Sequence, residues 1–293
     1  MGDLFSAVIT QALTFIPLAF GISVSYHILR ATDMTIDGSF VLGAAIFARL
    51  VTLGFSPSLA ACCALIAGAL AGVMTATIQR GGRVDPLLAG VLATFILSSL
   101  NLSLMGRPNI GLLSVPTLVS GAFAQSELLG WILVASITSL LCGVTFLLLL
   151  SRFGLSLRAF GDNPHLLSRL GRNIEIYRLA GFALTNALAA SAGCLTAQTI
   201  GYADVGMGFG MTLTGIGAII LGQQIVGRLS KRNYFRVGTE FLACLVGVIL
   251  YFLSLNMLLR FNIDPIYLKM ILGITLVIFL RAAQRGKSRG VTT

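Results

Sequence analysis

Charged residues are scarce in this chain. Only 10% of its 293 residues are Asp, Glu, Lys or Arg, while 56% are hydrophobic. A soluble domain would carry roughly 25% charged residues, because its surface must meet water. The charges here are too few to cover a globule, so most of the surface must face lipid. The composition therefore excludes a soluble globular fold.

Reactive side chains are also few. The two histidines, His27 and His165, have no carboxylate or nucleophile arranged around them, which disfavours an enzymatic triad. The closest approach to a P-loop, at 281–288, has Arg281 where the motif needs its first glycine. The cysteines lie inside apolar runs without metal-ligand spacing: Cys62, Cys63, Cys142, Cys194 and Cys244. We therefore expect no catalytic residue, no metal site and no cofactor.

Long hydrophobic runs make up most of the sequence. Nine candidate membrane spans lie at 4–29, 35–53, 57–79, 85–106, 128–151, 177–199, 207–222, 236–258 and 264–282. Most have 19–26 residues, enough to cross a hydrocarbon core of ~30 Å at ~1.5 Å per residue. The predicted fold is an all-α membrane protein of about nine transmembrane helices, forming a single domain over residues 1–293.

The net charge of +10 is concentrated in connectors between the apolar runs. Most basic residues fall in four segments: 80–85, 152–178, 223–236 and the tail after 282. The opposing connectors contain only Arg107 and Arg260. The positive-inside rule then predicts an inner-membrane protein with its N-terminus outside and its C-terminus in the cytoplasm. This distribution is typical of membrane topology and argues against nucleic-acid binding.

The two halves of the chain share a faint pattern. Asp85 and Pro86 open the fourth span as Asp264 and Pro265 open the ninth. We predict an inverted repeat, with repeat one at about 4–106, repeat two at about 177–282 and a connector span at 128–151. Such repeats are typical of transporters, and the Gly-interrupted segments in them indicate where the substrate pathway lies. The candidate pathway residues are Asp37, Gly38, Ser39, Gly43, Gly210, Thr214 and Gly215.

Two carboxylates precede the second span. Asp33 and Asp37 could cap the following helix or contact a cationic group of a ligand, and capping is the favoured interpretation.

The third span has small residues at every fourth position: Ala60, Ala64, Gly68, Gly72 and Ala76. That stripe allows close helix packing, either within the subunit, which is favoured, or between two subunits.

The longest basic connector, at 152–173, contains signals for a short helix. Asn163 or Asp162 can cap a helix that begins at Pro164, and Gly171 can end it. A cytoplasmic helix is therefore expected within about 157–172. An ordinary basic loop that binds anionic lipid headgroups is the alternative.

Several motifs resemble a known family. An aliphatic-Arg-Ala-x-Gly-Asp-Asn-Pro stretch followed by Leu-Gly is formed by Leu157, Arg158, Ala159, Gly161, Asp162, Asn163, Pro164, Leu170 and Gly171. It resembles the cytoplasmic coupling segment of permease subunits from ABC importers of the branched-chain amino acid and ribose type. The stretch from Thr32 to Gly43 is similar to the tryptophan/tyrosine permease subgroup. After Pro164 the chain departs from the family, with His165 where an acidic residue is usual.

The resemblance implies a type II-like ABC importer permease that moves an amino acid, aromatic or branched-chain, as a homodimer in the lipid membrane. ATPase subunits would supply the hydrolysis and an extracytoplasmic binding protein the substrate, so the chain itself would not be an enzyme. The implied coupling residues are Arg158, Gly161, Asp162, Asn163, Pro164, Arg169 and Gly171. The alternative is a secondary transporter driven by an ion gradient, a class that typically has carboxylates or histidines within the membrane.

Overall fold

The computed structural model describes residues 2–80, 84–229 and 236–260, with the isolated residues 267, 270, 273 and 274. Its helices are α1 (Gly2–Ser23), α2 (Thr35–Thr52), α3 (Pro57–Ile78), α4 (Pro86–Met105), α5 (Ser120–Gln125), α6 (Glu127–Leu150), α7 (Arg152–Asp162), α8 (Pro164–Arg169), α9 (Ile174–Ile200), α10 (Met211–Leu229) and α11 (Arg236–Arg260). A π-helix at Val24–Ile28 extends α1, and a 3₁₀ helix at Val205–Gly208 precedes α10. Two short strands, β1 (Asn109–Gly111) and β2 (Tyr202–Asp204), complete the fold.

Eight helical segments in the described part of the chain are long and apolar enough to cross a membrane. They confirm the predicted all-α membrane fold. Of the predicted ninth span, at 264–282, the structure describes only isolated residues. The count of nine spans and the inverted repeat therefore remain predictions. The seventh span, predicted at 207–222, runs longer, over Val205–Val226. Gly210, with a left-handed backbone at φ of +79°, separates its 3₁₀ helix from α10.

Small residues hold the centre of the bundle together. The glycines of the α3 stripe face α9: a Cβ added to Gly68 would lie 2.6 Å from the carbonyl oxygen of Asn186, and one on Gly72 would collide with the carbonyl of Phe182. Close approach of backbones is what small-xxx-small stripes permit. The favoured prediction of packing within the subunit is therefore confirmed, and this buried face is not available for a dimer contact.

The two ends of the bundle are distinct. At one end β1 pairs antiparallel with β2, which brings the connectors after α4 and after α9 together. At the other end, α7 and α8 pack beside the start of α9 and the end of α1. The 27 residues of α9 separate these ends by about 40 Å at ~1.5 Å per residue. The connectors at 107–127 and 200–206, which the charge pattern assigns to the same side, therefore do lie together.

Candidate functional site

The basic connector forms two helices rather than one. Asn163 separates α7 from α8 with an extended backbone (φ −160°, ψ 97°), as expected for a residue before proline. Its side-chain oxygen accepts a hydrogen bond from the amide of His165 at 3.0 Å, so Asn163 is the N-cap of α8 as predicted. Gly171, with φ of +70°, follows the end of α8. The predicted helix that begins at Pro164 is α8, and the wider range 157–172 also takes in the end of a second helix, α7. The two are separate because Pro164 cannot donate to the preceding turn.

Gly161 fixes α7 against the end of the first membrane helix. A Cβ at this position would collide with the carbonyl oxygen of Ile28, the last residue of the π-helix. The side chains of Leu157 and Phe160, on the same helix, are buried. Since only glycine allows this approach, α7 and the end of α1 form a tight joint, and a displacement of either one acts directly on the other.

An ion pair spans the same joint. The guanidinium of Arg30 contacts the carboxylate of Asp162, and both side chains are more than half exposed. Arg30 has φ of +53°, in the left-handed region that residues with a Cβ adopt at a cost. An exposed pair adds little stability, and this one links the segment after the π-helix to the end of α7. The sequence does not single out Arg30, because neither a left-handed backbone at an arginine nor an ion pair with a distant residue produces a recognisable sequence pattern.

The predicted docking residues separate into two groups. Arg158 is partly buried and donates from Nη2 to the carbonyl oxygen of Leu149 at 2.5 Å, which holds α7 to the end of α6. Arg169 is exposed at the end of α8, and it lies between two exposed apolar side chains, Leu166 and Leu170. Arg169 and its two leucine neighbours are therefore exposed together at the end of α8. Leu170 belongs to the motif quoted above, whereas Leu166 was not singled out by the sequence.

Asp37 caps a helix of the other half of the chain. One carboxylate oxygen accepts the amide of Gly210 at 3.0 Å, and the other accepts the amide of Thr212 at 2.7 Å and its hydroxyl at 2.6 Å. The favoured prediction was a cap on the helix that follows Asp37 directly. The structure corrects it: Asp37 lies inside the first turn of α2, and the free amides within its reach are those at the start of α10.

Asp33 belongs to a buried polar cluster. It accepts the amide of Thr35 at 2.9 Å, which confirms its predicted role at the start of α2, and the side-chain amide of Asn186 at 2.7 Å. Asn186 in turn accepts the hydroxyl of Ser39 at 2.7 Å. Burial raises the pKa of the Asp33 carboxyl, and the hydrogen bonds from Thr35 and Asn186 oppose that rise. The cluster connects α2 to α9 and uses both oxygens of the carboxylate.

The remaining predicted pathway residues lie mostly in helix contacts. Gly43 faces the backbone of Ala190 on α9, and a Cβ on Gly38 would lie 2.9 Å from the side chain of Leu97 on α4. Gly215 faces the side chain of Ile22 on α1. Thr214 differs from these, since it lines a cavity between α1, α9, α10 and α11. A pathway role for the glycines stays a prediction, and their observed environment is packing.

Comparison with known proteins covers nearly the whole chain. The family described as "Branched-chain amino acid transport system / permease component" matches residues 4–280. An uncharacterized protein of Rickettsia prowazekii is 46% identical over 94% of this chain and 96% of its own length. The tyrosine transport system permease protein of Clostridioides difficile is 32% identical over 94% of this chain and 89% of its own.

A more distant relative is the nucleoside ABC transporter permease protein NupC of Lactococcus lactis, 29% identical over 67% of this chain and 66% of its own. No solved structure matches the chain.

Proposed function

Because this chain belongs to the family of permease components of branched-chain amino acid transport systems, we propose that it is the membrane subunit of an ABC importer for an aromatic amino acid. The observation that carries the proposal is the 32% identity with a tyrosine transport permease over 94% of the chain. Eight apolar helices within the described residues supply the membrane domain of such a subunit.

The energy for transport would come from separate ATPase subunits. They would dock on the exposed face of α8 formed by Leu166, Arg169 and Leu170. Movement of α8 would pass through α7 and the Gly161–Ile28 contact to α1. A homodimer would enclose the pathway, and an extracytoplasmic binding protein would deliver the substrate to the end that carries β1 and β2. The coupling is mechanical, so it needs no reactive side chain in this chain.

An ion-gradient mechanism has less support. It needs a carboxylate or histidine that can exchange an ion within the membrane. Asp33 and Asp37 instead have both oxygens engaged, by Asn186 and by the amides at the starts of α2 and α10. These contacts favour structural roles for the two carboxylates.

The proposal is tested by reconstitution. The chain is co-expressed with a candidate ATPase and a candidate binding protein from the same organism, and the complex is placed in proteoliposomes. We expect uptake of radiolabelled L-tyrosine that requires ATP and the binding protein. Uptake that persists without ATP and follows an imposed proton or sodium gradient would instead establish a secondary transporter.

The docking face can be tested with a charge reversal. We expect Arg169→Glu to reduce the amount of ATPase that co-purifies with the chain about tenfold, equivalent to ~1.4 kcal/mol, because an exposed cation at the contact would become an anion. Arg49→Glu is the matched control. Arg49 is also an exposed arginine, but it lies in the last turn of α2, away from α8. Equal retention of the ATPase by both variants would contradict docking on α8.

Orientation is tested by cysteine labelling. Ser168 on α8 and Ser56 before α3 are both exposed and lie in connectors that the charge pattern assigns to opposite sides. In a background with Cys62 and Cys63 replaced by serine, a membrane-impermeant maleimide applied outside intact cells should label Ser56→Cys and leave Ser168→Cys unlabelled. The reverse pattern would invert the proposed topology.

A further inference from the structure

A cavity of about 500 Å³ lies at the end of the bundle that carries β1 and β2. Its walls come from the first half of α1, Phe40 of α2, the last turn of α9, Phe209 and the start of α10, and the second half of α11. The volume is within the range of about 300–1,000 Å³ typical of small-molecule sites. By the proposed topology this is the extracytoplasmic end, where a binding protein would release its ligand.

Aromatic rings form one part of the wall. Phe15 of α1 meets Phe252 of α11 edge-to-face at a centroid distance of 5.2 Å, and Tyr251 meets Phe252 in the same way at 5.4 Å. Phe40 and Phe209 also line the cavity. Phe15, Phe40 and Tyr251 are buried, so packing holds these rings in place. A planar aromatic ligand can join such an arrangement with favourable edge and face contacts.

Hydroxyl groups form the other part. Thr14 and Thr199 donate their hydroxyl hydrogens to carbonyl oxygens of the preceding helical turn. Thr10 does the same, but its oxygen also accepts the indole N–H of Trp131 at 3.1 Å. A hydroxyl used in this way still has acceptor lone pairs. The lining is therefore rich in acceptors, which suits the N–H groups of an ammonium. The side chain of Gln11 uses its oxygen to accept from Asn256 and has amide hydrogens with which to donate to a carboxylate.

The absence of charged side chains from the lining limits the class of ligand further. None of the lining residues in this described part of the chain is Asp, Glu, Lys, Arg or His. A ligand with a net charge would enter without a counter-ion, which is costly away from water. A zwitterion carries no net charge, and neutral acceptors and donors can solvate its two ends.

From these features we propose that the cavity is a transit site for an aromatic amino acid in its zwitterionic form, with its ring among Phe15, Phe40, Tyr251 and Phe252 and its ammonium against the threonine hydroxyls. The inference rests on the proposed function and extends it to a place within one subunit. The lack of ionic contacts suits a site that must release its ligand during each cycle.

The first test fills the cavity. Ala7 lines it, and Ala7→Trp adds an indole without removing a contact. Leu140→Trp is the control, since Leu140 is exposed on the outer surface of α6. In the reconstituted complex of permease, ATPase and binding protein, we expect Ala7→Trp to lower ATP-driven L-[³H]tyrosine uptake more than tenfold. The amount of bound ATPase should stay unchanged, and Leu140→Trp should transport as the wild type does.

The second test removes one acceptor. Thr199→Val keeps the shape of the side chain and loses its hydroxyl, whereas Thr145→Val removes a comparable back-bonded hydroxyl of α6 that lies outside the cavity. Thr199→Val should weaken equilibrium binding of L-[³H]tyrosine to the complex roughly threefold to tenfold, as expected for one hydrogen bond. Thr145→Val should bind as tightly as the wild type.

The outcomes separate the two proposals. If the wild-type complex assembles and hydrolyses ATP but takes up no tyrosine, the proposed function is wrong in its substrate, and the cavity assignment is overturned with it. If the wild type transports tyrosine while Ala7→Trp and Thr199→Val match their controls, the function stands and the cavity is not the site. Loss in both variants, with assembly intact, supports the site.

Discussion

Replacing Gly43 with alanine should destabilise the protein by about 3 kcal/mol or more, the upper end of the range for overpacked sites. Gly43 on α2 faces the backbone of Ala190 on α9, and a Cβ there would overlap the carbonyl group. A backbone carbonyl cannot rotate away as a side chain can. The helices would have to separate, and the contacts on both sides of the crossing would weaken.

Each of the two helices contributes a glycine to this crossing, which makes the expected loss of stability large. Gly193 on α9 meets the carbonyl of Phe40 on α2 just as Gly43 meets Ala190. The two helices therefore approach through one glycine each, and separating them at one position also opens the other. It would further stretch the hydrogen bond between Ser39 and Asn186, which connects the same pair of helices.

The measurement is thermal unfolding of the purified chain in detergent, with the monodisperse fraction after gel filtration as a second readout. Gly143→Ala is the matched control, because Gly143 is also a helical glycine but a Cβ there would meet nothing within 4 Å. It should be neutral or slightly stabilising, as alanine is the better helix former. Unfolding midpoints that agree between the two variants would refute the tight crossing.

Composition and charge were enough to predict the membrane fold. The apolar runs indicated helices, and the basic connectors indicated which loops share a side. The antiparallel pairing of β1 with β2 bears out that grouping for the connectors after α4 and α9. Asn163 and Pro164 marked the start of α8 correctly, because capping is local chemistry that a sequence records directly.

Contacts between distant segments could not be predicted in the same way. Gly38 and Gly43 suggested a pathway, since glycine interrupts helices in transporters, but the same residue type also allows helices to touch. Which role applies depends on what lies opposite, here Leu97 and Ala190. Arg30 and Asp162 are likewise paired only by the fold. The sequence thus supplied candidate residues, and the three-dimensional partners supplied their roles.

Asp37→Asn should destabilise the protein by about 2 to 3 kcal/mol and reduce transport with it. The carboxylate accepts three hydrogen bonds at the start of α10, from the amides of Gly210 and Thr212 and the hydroxyl of Thr212. Hydrogen bonds to a charged group contribute roughly 1.5–3 kcal/mol, and a negative charge at a helix N-terminus adds to this. An asparagine has one acceptor oxygen, and its amide nitrogen would face a donor.

Asp85→Asn is the control for this change. Asp85 also caps a helix, but it is exposed and accepts one bond, from the amide of Leu87 at 2.9 Å. Asparagine is about as good an N-cap as aspartate, so this variant should lose less than about 0.5 kcal/mol. Both variants are compared by thermal unfolding in detergent and by uptake in the reconstituted complex.

The comparison also distinguishes a structural carboxylate from one that contacts substrate. If Asp37 only holds α10 to α2, Asp37→Asn lowers the unfolding midpoint, and at low temperature the residual transport keeps the wild-type half-saturation concentration for tyrosine. If Asp37 binds the ammonium of the substrate, the half-saturation concentration rises while the unfolding midpoint stays near that of Asp85→Asn. The three bonds to Gly210 and Thr212 leave the carboxylate little capacity for a ligand, and we therefore expect the first result.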